Sequence, residues 1–290
     1  MKRKRSNKYP FIFLLIIHAT LLLIALLRKK EKRKTLLVLL TSNMSFAYLF
    51  EFFVLNLFHA YKYKPRILKV KFLDNVLGAI LSQAFYIPLA ALFITAFNLK
   101  WKAKSLFILY FQIIEHLFIK LKVYKVYWWK PIYTMLLLPI FFMISDKWYH
   151  YLQKGNRLIL ITTLYLSIMG TDVNINYLAA VFGNFRLGKG LRFTWKEHFV
   201  YSPLYAIILA FITTWSIRKG GWYGSVRAFV LSLVFDWVLY RGGYLKIRYP
   251  LLRIALRGFM LFLGLQFKKL IYEGLKEENQ ASEIVIQKSQ

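Results

Sequence analysis

The sequence predicts an all-α fold, a polytopic transmembrane helix bundle of eight or nine spans with an internal repeat, and three observations carry that prediction. Of the 290 residues, 58% are hydrophobic, and the mean hydropathy is +0.45. The apolar residues come in long runs instead of amphipathic alternation, as expected where lipid is the solvent. The Lys and Arg residues, 42 against 12 Asp and Glu for a formal net charge of +30, sit in the short gaps between those runs. Such a balance would suit nucleic acid, but no gap is long enough to fold into a soluble domain presenting a basic face. Anionic lipid headgroups are the expected counter-charge, each nearby cation contributing on the order of 1 kcal/mol. The chain has no cysteine, which removes disulfides, thiolate catalysis and Cys-ligated metal together.

The first expected span, 10–27, is preceded by KRKR and followed by RKKEKRK. It has the outline of a secretory signal without a small-residue cleavage pattern, and it reads as a retained helix. The second, 35–58, is interrupted by Glu51 and by the polar cluster 41–45, and the third covers 75–97. On that third helix Asn75, Gly78, Ser82 and Tyr86 share one face, and the small pair Gly78 and Ser82 would let another helix approach closely. Spans four and five are 105–121 and 132–145, the latter short enough to need its flanking rings. Within 158–182 the sequence TDVNIN is expected to interrupt the helix or to keep it from crossing fully. A confident span at 200–217 precedes two short ones, 228–240 and 254–265, which carry Asp236 and Arg257. The bundle is thus assigned to residues 1–267, and 268–290 to a polar tail, a frayed helix passing into disorder. With nine spans the basic residues divide almost evenly between the two sides, so orientation is not fixed.

The repeat rests on an acid inside an apolar helix, an aromatic and basic rim, then proline. This order occurs from Phe50, from Ile114 and from Phe235, with Glu51 to Pro65 and Asp236 to Pro250 both 14 residues apart and Glu115 to Pro131 16 apart. Tyr-x-Pro-Leu recurs at Tyr86 and Tyr201. A duplicated helix-and-rim unit would build a pseudo-symmetric bundle whose acids meet near its middle.

Glu51, Glu115 and Asp236 are the first candidates for function. A carboxylate at bilayer depth costs at least about 2.5 kcal/mol, so it has to be protonated, paired or wet. Such a group serves a carrier as a proton or cation site, or serves the fold as an interhelical hydrogen bond. Gln112, Glu115, His116 and Lys120 share one broad helical face, which offers a proton relay or an ordinary polar seam. Asp236 and Arg257 are placed to form an intramembrane ion pair, unless Arg257 snorkels to the surface. No second histidine stands three or four residues from His116, and HExxH is missing, so no metal site and no cofactor is expected. GxSxG is absent too, and LGKG at 187–190 is a turn rather than a phosphate-binding loop. The Trp and Tyr clusters mark headgroup-level belts, though a stacking site would use the same residues.

Glu115, then VYKVYWWKPIYT, then an apolar run and DKWYHY make a block of about forty residues, Glu115 to Tyr151. It resembles a family of uncharacterised multi-pass membrane proteins of endospore-forming Gram-positive bacteria. That resemblance implies a bacterial plasma membrane and a sporulation context, with no site residues to carry over. The expected function is that of a non-enzymatic integral membrane protein, working through contacts with other membrane proteins or with anionic lipid headgroups. The competing expectation is a proton- or cation-coupled small-molecule carrier or channel built on Glu51, Glu115, His116 and Asp236.

Overall fold

The computed structural model describes residues 7–189 and 193–278, and nearly all of that chain is helical. KRKR and the tail beyond Glu278 lie outside the described residues. The chain divides into two compact units, 1–151 and 152–290.

Unit 1 begins with α1 (Lys8–Arg28) and α2 (Arg33–Glu51), which continues into a π-helical turn, Phe52–Leu57. Strand β1 (Tyr61–Tyr63) leads into α3 (Lys71–Ile80), a second π-helical turn (Leu81–Tyr86) and α4 (Ile87–Ala96). Then come α5 (Trp101–Lys120), β2 (Tyr124–Val126) and α6 (Pro131–Gln153), which ends two residues past the division. Unit 2 contains α7 (Arg157–Val181), β3 (Phe185–Leu187), α8 (Trp195–Ile217), α9 (Trp222–Arg241), β4 (Leu245–Ile247) and α10 (Pro250–Lys269). Helix α10 runs on through a π-helical turn, Leu270–Gly274, to Glu278, so the stretch assigned to a polar tail from 268 is helical as far as it is described.

The two units therefore share one order after α1: helix, strand, helix, helix, strand, helix. Within each, the two three-residue strands pair antiparallel, Tyr63 opposite Tyr124 in unit 1 and Leu187 opposite Leu245 in unit 2. The hydrogen bonds that frame the hairpins correspond one to one. The residue after the first strand donates to the residue before the second, Lys64 N to Val123 O at 2.8 Å and Gly188 N to Tyr244 O at 3.0 Å. The residue after the second strand donates back, Tyr127 N to Ala60 O at 2.9 Å and Arg248 N to Asn184 O at 3.0 Å. The last N–H of the first strand donates to a side chain of the next helix, to Asn75 Oδ1 at 2.7 Å and to His198 Nδ1 at 3.0 Å. Every helix-to-strand turn uses a left-handed residue two positions before the strand: His59, Lys122, Gly183 and Gly243, with φ of 50, 59, 70 and 73°. These turns leave few hairpin amides unpaired, the condition for irregular backbone among apolar helices.

Among the described residues, seven helical stretches are long and apolar enough to cross a membrane: Lys8–Arg28, Lys30–Leu57, Lys71–Ala96, Arg157–Val181, Trp195–Ile217, Trp222–Arg241 and Pro250–Glu278. Helices α5 and α6, read as spans four and five, are not among the seven; Lys104, Glu115, His116 and Lys120 interrupt the apolar run of one, and Asp146 and Lys147 that of the other. Helix α1 shows how the apolar surface is spent. It buries Phe11, Leu14, His18 and Ala25 along one stripe and leaves Phe13, Ile16 and Leu23 exposed. An outward apolar face of that kind suits a bilayer better than water.

Three expectations are corrected. TDVNIN does not interrupt α7, because Thr171 and Asn174 donate to the helix's own carbonyls at Ser167 and Gly170 (2.8 and 2.9 Å) and Asn176 donates to Asp172. The two short spans, 228–240 and 254–265, lie inside the full-length helices α9 and α10, whose ends are polar or ringed and so escaped a hydropathy reading. The close approach at Gly78 is made by a strand: a Cβ there would lie 2.3 Å from the Cβ of Tyr63 in β1.

Candidate functional site

In unit 1, Glu51 closes the last α-helical turn of α2 and is 5% exposed. Its Oε2 accepts from the Tyr61 hydroxyl at 2.5 Å and from Gln83 Nε2 at 3.1 Å, and its Oε1 is buried without a partner. Burial first, and then the adjacent Glu51 carboxylate, hold the Tyr61 phenol well above its ordinary range, so it stays an O–H donor. The π-helical turn at Leu81–Tyr86 matters here, since it buries Gln83, Ala84 and Tyr86 together and aims the Gln83 amide at Glu51. Tyr86 in turn donates to Phe11 O at 2.7 Å and ties α1 to the same wall. The hairpin contributes a stack of rings, with Tyr61, Tyr63 and Tyr124 at centroid separations of 5.0 to 5.6 Å and Trp129 at 5.4 Å from Tyr61.

Glu115, on α5, faces these rings from the other side. Both of its carboxylate oxygens are buried and neither makes a hydrogen bond of normal length and angle, although the Thr134 hydroxyl and the Trp129 N–H stand close enough to stabilise its charge weakly. Beside Glu115 lies a cavity of about 360 Å³, walled by Tyr61, Gln83, Tyr86, Glu115, Tyr124, Trp129 and Thr134 among apolar side chains of α2, α5 and α6; Glu51 touches it only through its donors Tyr61 and Gln83. An empty apolar cavity of about 150 Å³ holds a benzene ring, so this one is large enough for a small organic molecule. The wall residues that reach the surface, Phe50, Leu137, Ile140 and Ile144, are all apolar.

The face predicted for α5 splits. Glu115 turns to the cavity, whereas His116 is exposed with Nδ1 against Gln112 O at 2.7 Å, Lys120 is exposed, and Gln112 donates to Pro131 O at 2.8 Å. The Glu115 and His116 relay is thus not assembled. A separate polar seam joins α2, α4, α5 and α6: Asn43 donates to Ser145 at 2.9 Å, Thr95 donates to Asp146 at 2.7 Å, and Lys104 pairs with Asp146.

In unit 2 the acids are closed off. Helix α9 buries Gly224, Ala228, Ser232 and Asp236 at four-residue steps, and α10 buries Arg253, Arg257, Met260 and Gly264 on one stripe. Asp236 accepts from Arg253 Nε at 3.0 Å and from Arg257 Nε at 2.9 Å, and Tyr205 also donates to it. Arg257 reaches on to Asp172 at 3.4 Å, and Arg253 Nη1 donates to Asn176 Oδ1 at 3.1 Å. Asp236 and Arg257 thus pair within a larger network of two acids and two arginines, each at most 4% exposed. The space left beside Asp172 and Arg257 is about 20 Å³, room for one water.

Sequence reasoning missed Tyr61, Gln83 and Trp129 as site residues, and Asp172, Asn176, Tyr205 and Arg253 as network members. The four-residue spacings Asp172 to Asn176 and Arg253 to Arg257 were the available signal. No family model, no curated protein and no solved structure matches the chain, so the geometry alone carries the functional reading.

Proposed function

We propose that this chain is an integral membrane protein that binds a small molecule in the cavity of unit 1, as a carrier does, with Glu115 as its acidic group and Glu51 held behind Tyr61 and Gln83 in the wall. The observation that carries this reading is the cavity itself, about 360 Å³ of ring-walled space against a carboxylate whose oxygens have no donor. It supports the carrier class over a contact scaffold, because an open, mostly apolar pocket with one buried carboxylate and a few polar groups is the form of a small-molecule site. The apolar mouth at Phe50, Leu137, Ile140 and Ile144 suits a ligand that arrives through the bilayer. Basic residues stacked on rings, Arg218 over Trp215 and Arg186 over Trp195, each at 3.5 Å, suit anionic headgroups at the rims.

The test is mass spectrometry of small molecules extracted from protein purified in mild detergent, comparing the wild type with Leu138→Trp, which fills the cavity. The expected result is a low-mass species that accompanies the wild type and is lost from the folded variant. Indistinguishable extracts would count against the reading.

A further inference from the structure

The two units solve one problem in opposite ways. In each, the helix before the second strand carries an acid nine residues ahead of that strand, Glu115 before Tyr124 and Asp236 before Leu245. In each, the helix after that strand opens on proline, Pro131 and Pro250. Counting from those prolines, Arg253 and Thr134 both stand three residues on, and Arg257 and Leu138 both stand seven on. The structure supports this register, since Arg253 pairs with Asp236, Thr134 lies beside Glu115, and Leu138 lines the cavity. Where unit 2 places two guanidinium groups, unit 1 therefore places a hydroxyl, an isobutyl group and empty space. The open volume is about 360 Å³ in one and about 20 Å³ in the other.

We propose that the cavity of unit 1 takes an organic cation, a guanidinium or ammonium group on a small apolar body, with the cation on Glu115 in the place that Arg253 holds beside Asp236. The donors missing from both Glu115 oxygens are those such a group supplies. Tyr124 and Trp129 line the same space, and their rings can attract a cation as well, as Phe185 does for Arg253 at 4.3 Å in unit 2. Thr134 offers a further acceptor. The apolar remainder of the wall sets the body of the ligand as hydrocarbon or aromatic. The inference rests on the reading of unit 1 as a ligand-binding unit.

The experiment is equilibrium dialysis of benzylguanidinium, and of its neutral isostere benzylurea, against the full chain in zwitterionic nanodiscs, with empty nanodiscs subtracted. The cation is expected to bind at least about tenfold more tightly than the urea, the usual advantage of a charge-assisted hydrogen bond. Glu115→Gln should bring the two affinities together. Thr134→Arg, which supplies the arginine of unit 2 to unit 1, should abolish binding while melting no lower than the wild type, so that lost binding cannot be assigned to a lost fold. Equal binding of the two compounds, or cation binding untouched by Glu115→Gln, would overturn the inference and leave the ligand-binding reading standing. Failure of both compounds to bind the wild type would overturn the inference as well, and the extraction experiment then decides the broader reading on its own.

Discussion

Asp236→Asn is the most informative single change in unit 2, because that carboxylate holds both arginines of α10. In the wild type two acids, Asp172 and Asp236, balance Arg253 and Arg257, all at most 4% exposed. The asparagine keeps the size of the side chain but carries no charge, and its amide presents N–H groups to guanidinium N–H groups. One of the two arginines is then left without a counter-charge in a dry site, for which a loss of about 3–5 kcal/mol is expected. Adding Arg253→Met removes the surplus cation and restores neutrality, since Arg257 still faces Asp172 at 3.4 Å. Apolar replacement of a buried pair is close to neutral in cost, so the double variant should recover at least about 2 kcal/mol of what Asp236→Asn loses. The assay is unfolding by SDS titration in mixed micelles, followed by circular dichroism, across the four-member mutant cycle. A double variant whose loss equals the sum of the two single losses would refute the reasoning. It would mean that the four side chains are independent and not one neutralised cluster.

Four further changes are read by the same assay, three in unit 1 and one, Gly258→Ala, in unit 2 as a comparison. Tyr61→Phe removes the shorter of the two donors to Glu51 Oε2, at 2.5 Å, and should cost about 1.5–3 kcal/mol; no change would mean that water takes the place of the phenol. Gly78→Ala drives a methyl to 2.3 Å from Tyr63 Cβ and should cost about 1–3 kcal/mol. Gly258→Ala, which meets only Phe229 at 3.9 Å, should instead gain up to about 1 kcal/mol in helix propensity, and equal effects at the two glycines would discredit the packing at β1. Lys122→Gly places glycine at a φ of 59°, where the matching turn of unit 2 has Gly243, and should stabilise by about 0.5–1 kcal/mol; destabilisation there would show that the Lys122 side chain has a role of its own.

The helical class and most of the long apolar helices could be read from the sequence because a hydropathy run is a local property. The run from Phe11 to Leu27 became α1 with only small changes at its ends. The repeat was half visible. Three of the four helix-to-strand turns share the acid, rim and proline order, but the fourth, from Asp172 to Phe185, has no proline and a longer separation, so it did not stand out. The Tyr-x-Pro-Leu pair pointed to a different alignment, since Pro88 falls late in its helical stretch and Pro203 early in α8. The strands themselves were invisible, being three residues long and fixed by pairing between segments far apart in the chain. The cavity was unreadable for the same reason. Whether Glu115 has a partner depends on Thr134 and Leu138 of another helix, and no property of Glu115's own neighbours in sequence encodes that.

What the two units have in common is backbone, and what separates them is how a buried acid is matched. Hairpin hydrogen bonds, left-handed turns and an acid nine residues before the second strand recur in both units. These are features that hold a short strand pair among apolar helices, and a change in any of them exposes an amide that an apolar surrounding cannot satisfy. The partner of the acid is under no such constraint. Unit 2 supplies it from the chain, through Arg253 and Arg257, and ends with no room beside it. Unit 1 supplies Tyr61 and Gln83 to one oxygen of Glu51, and to Glu115 only the weak approach of Thr134 and Trp129. A carboxylate kept in that setting without a donor is a standing cost to stability. Packing can remove the cost with an arginine, as Arg253 and Arg257 of α10 do for Asp236, and on the proposed reading a bound ligand supplies that donor to Glu115 instead.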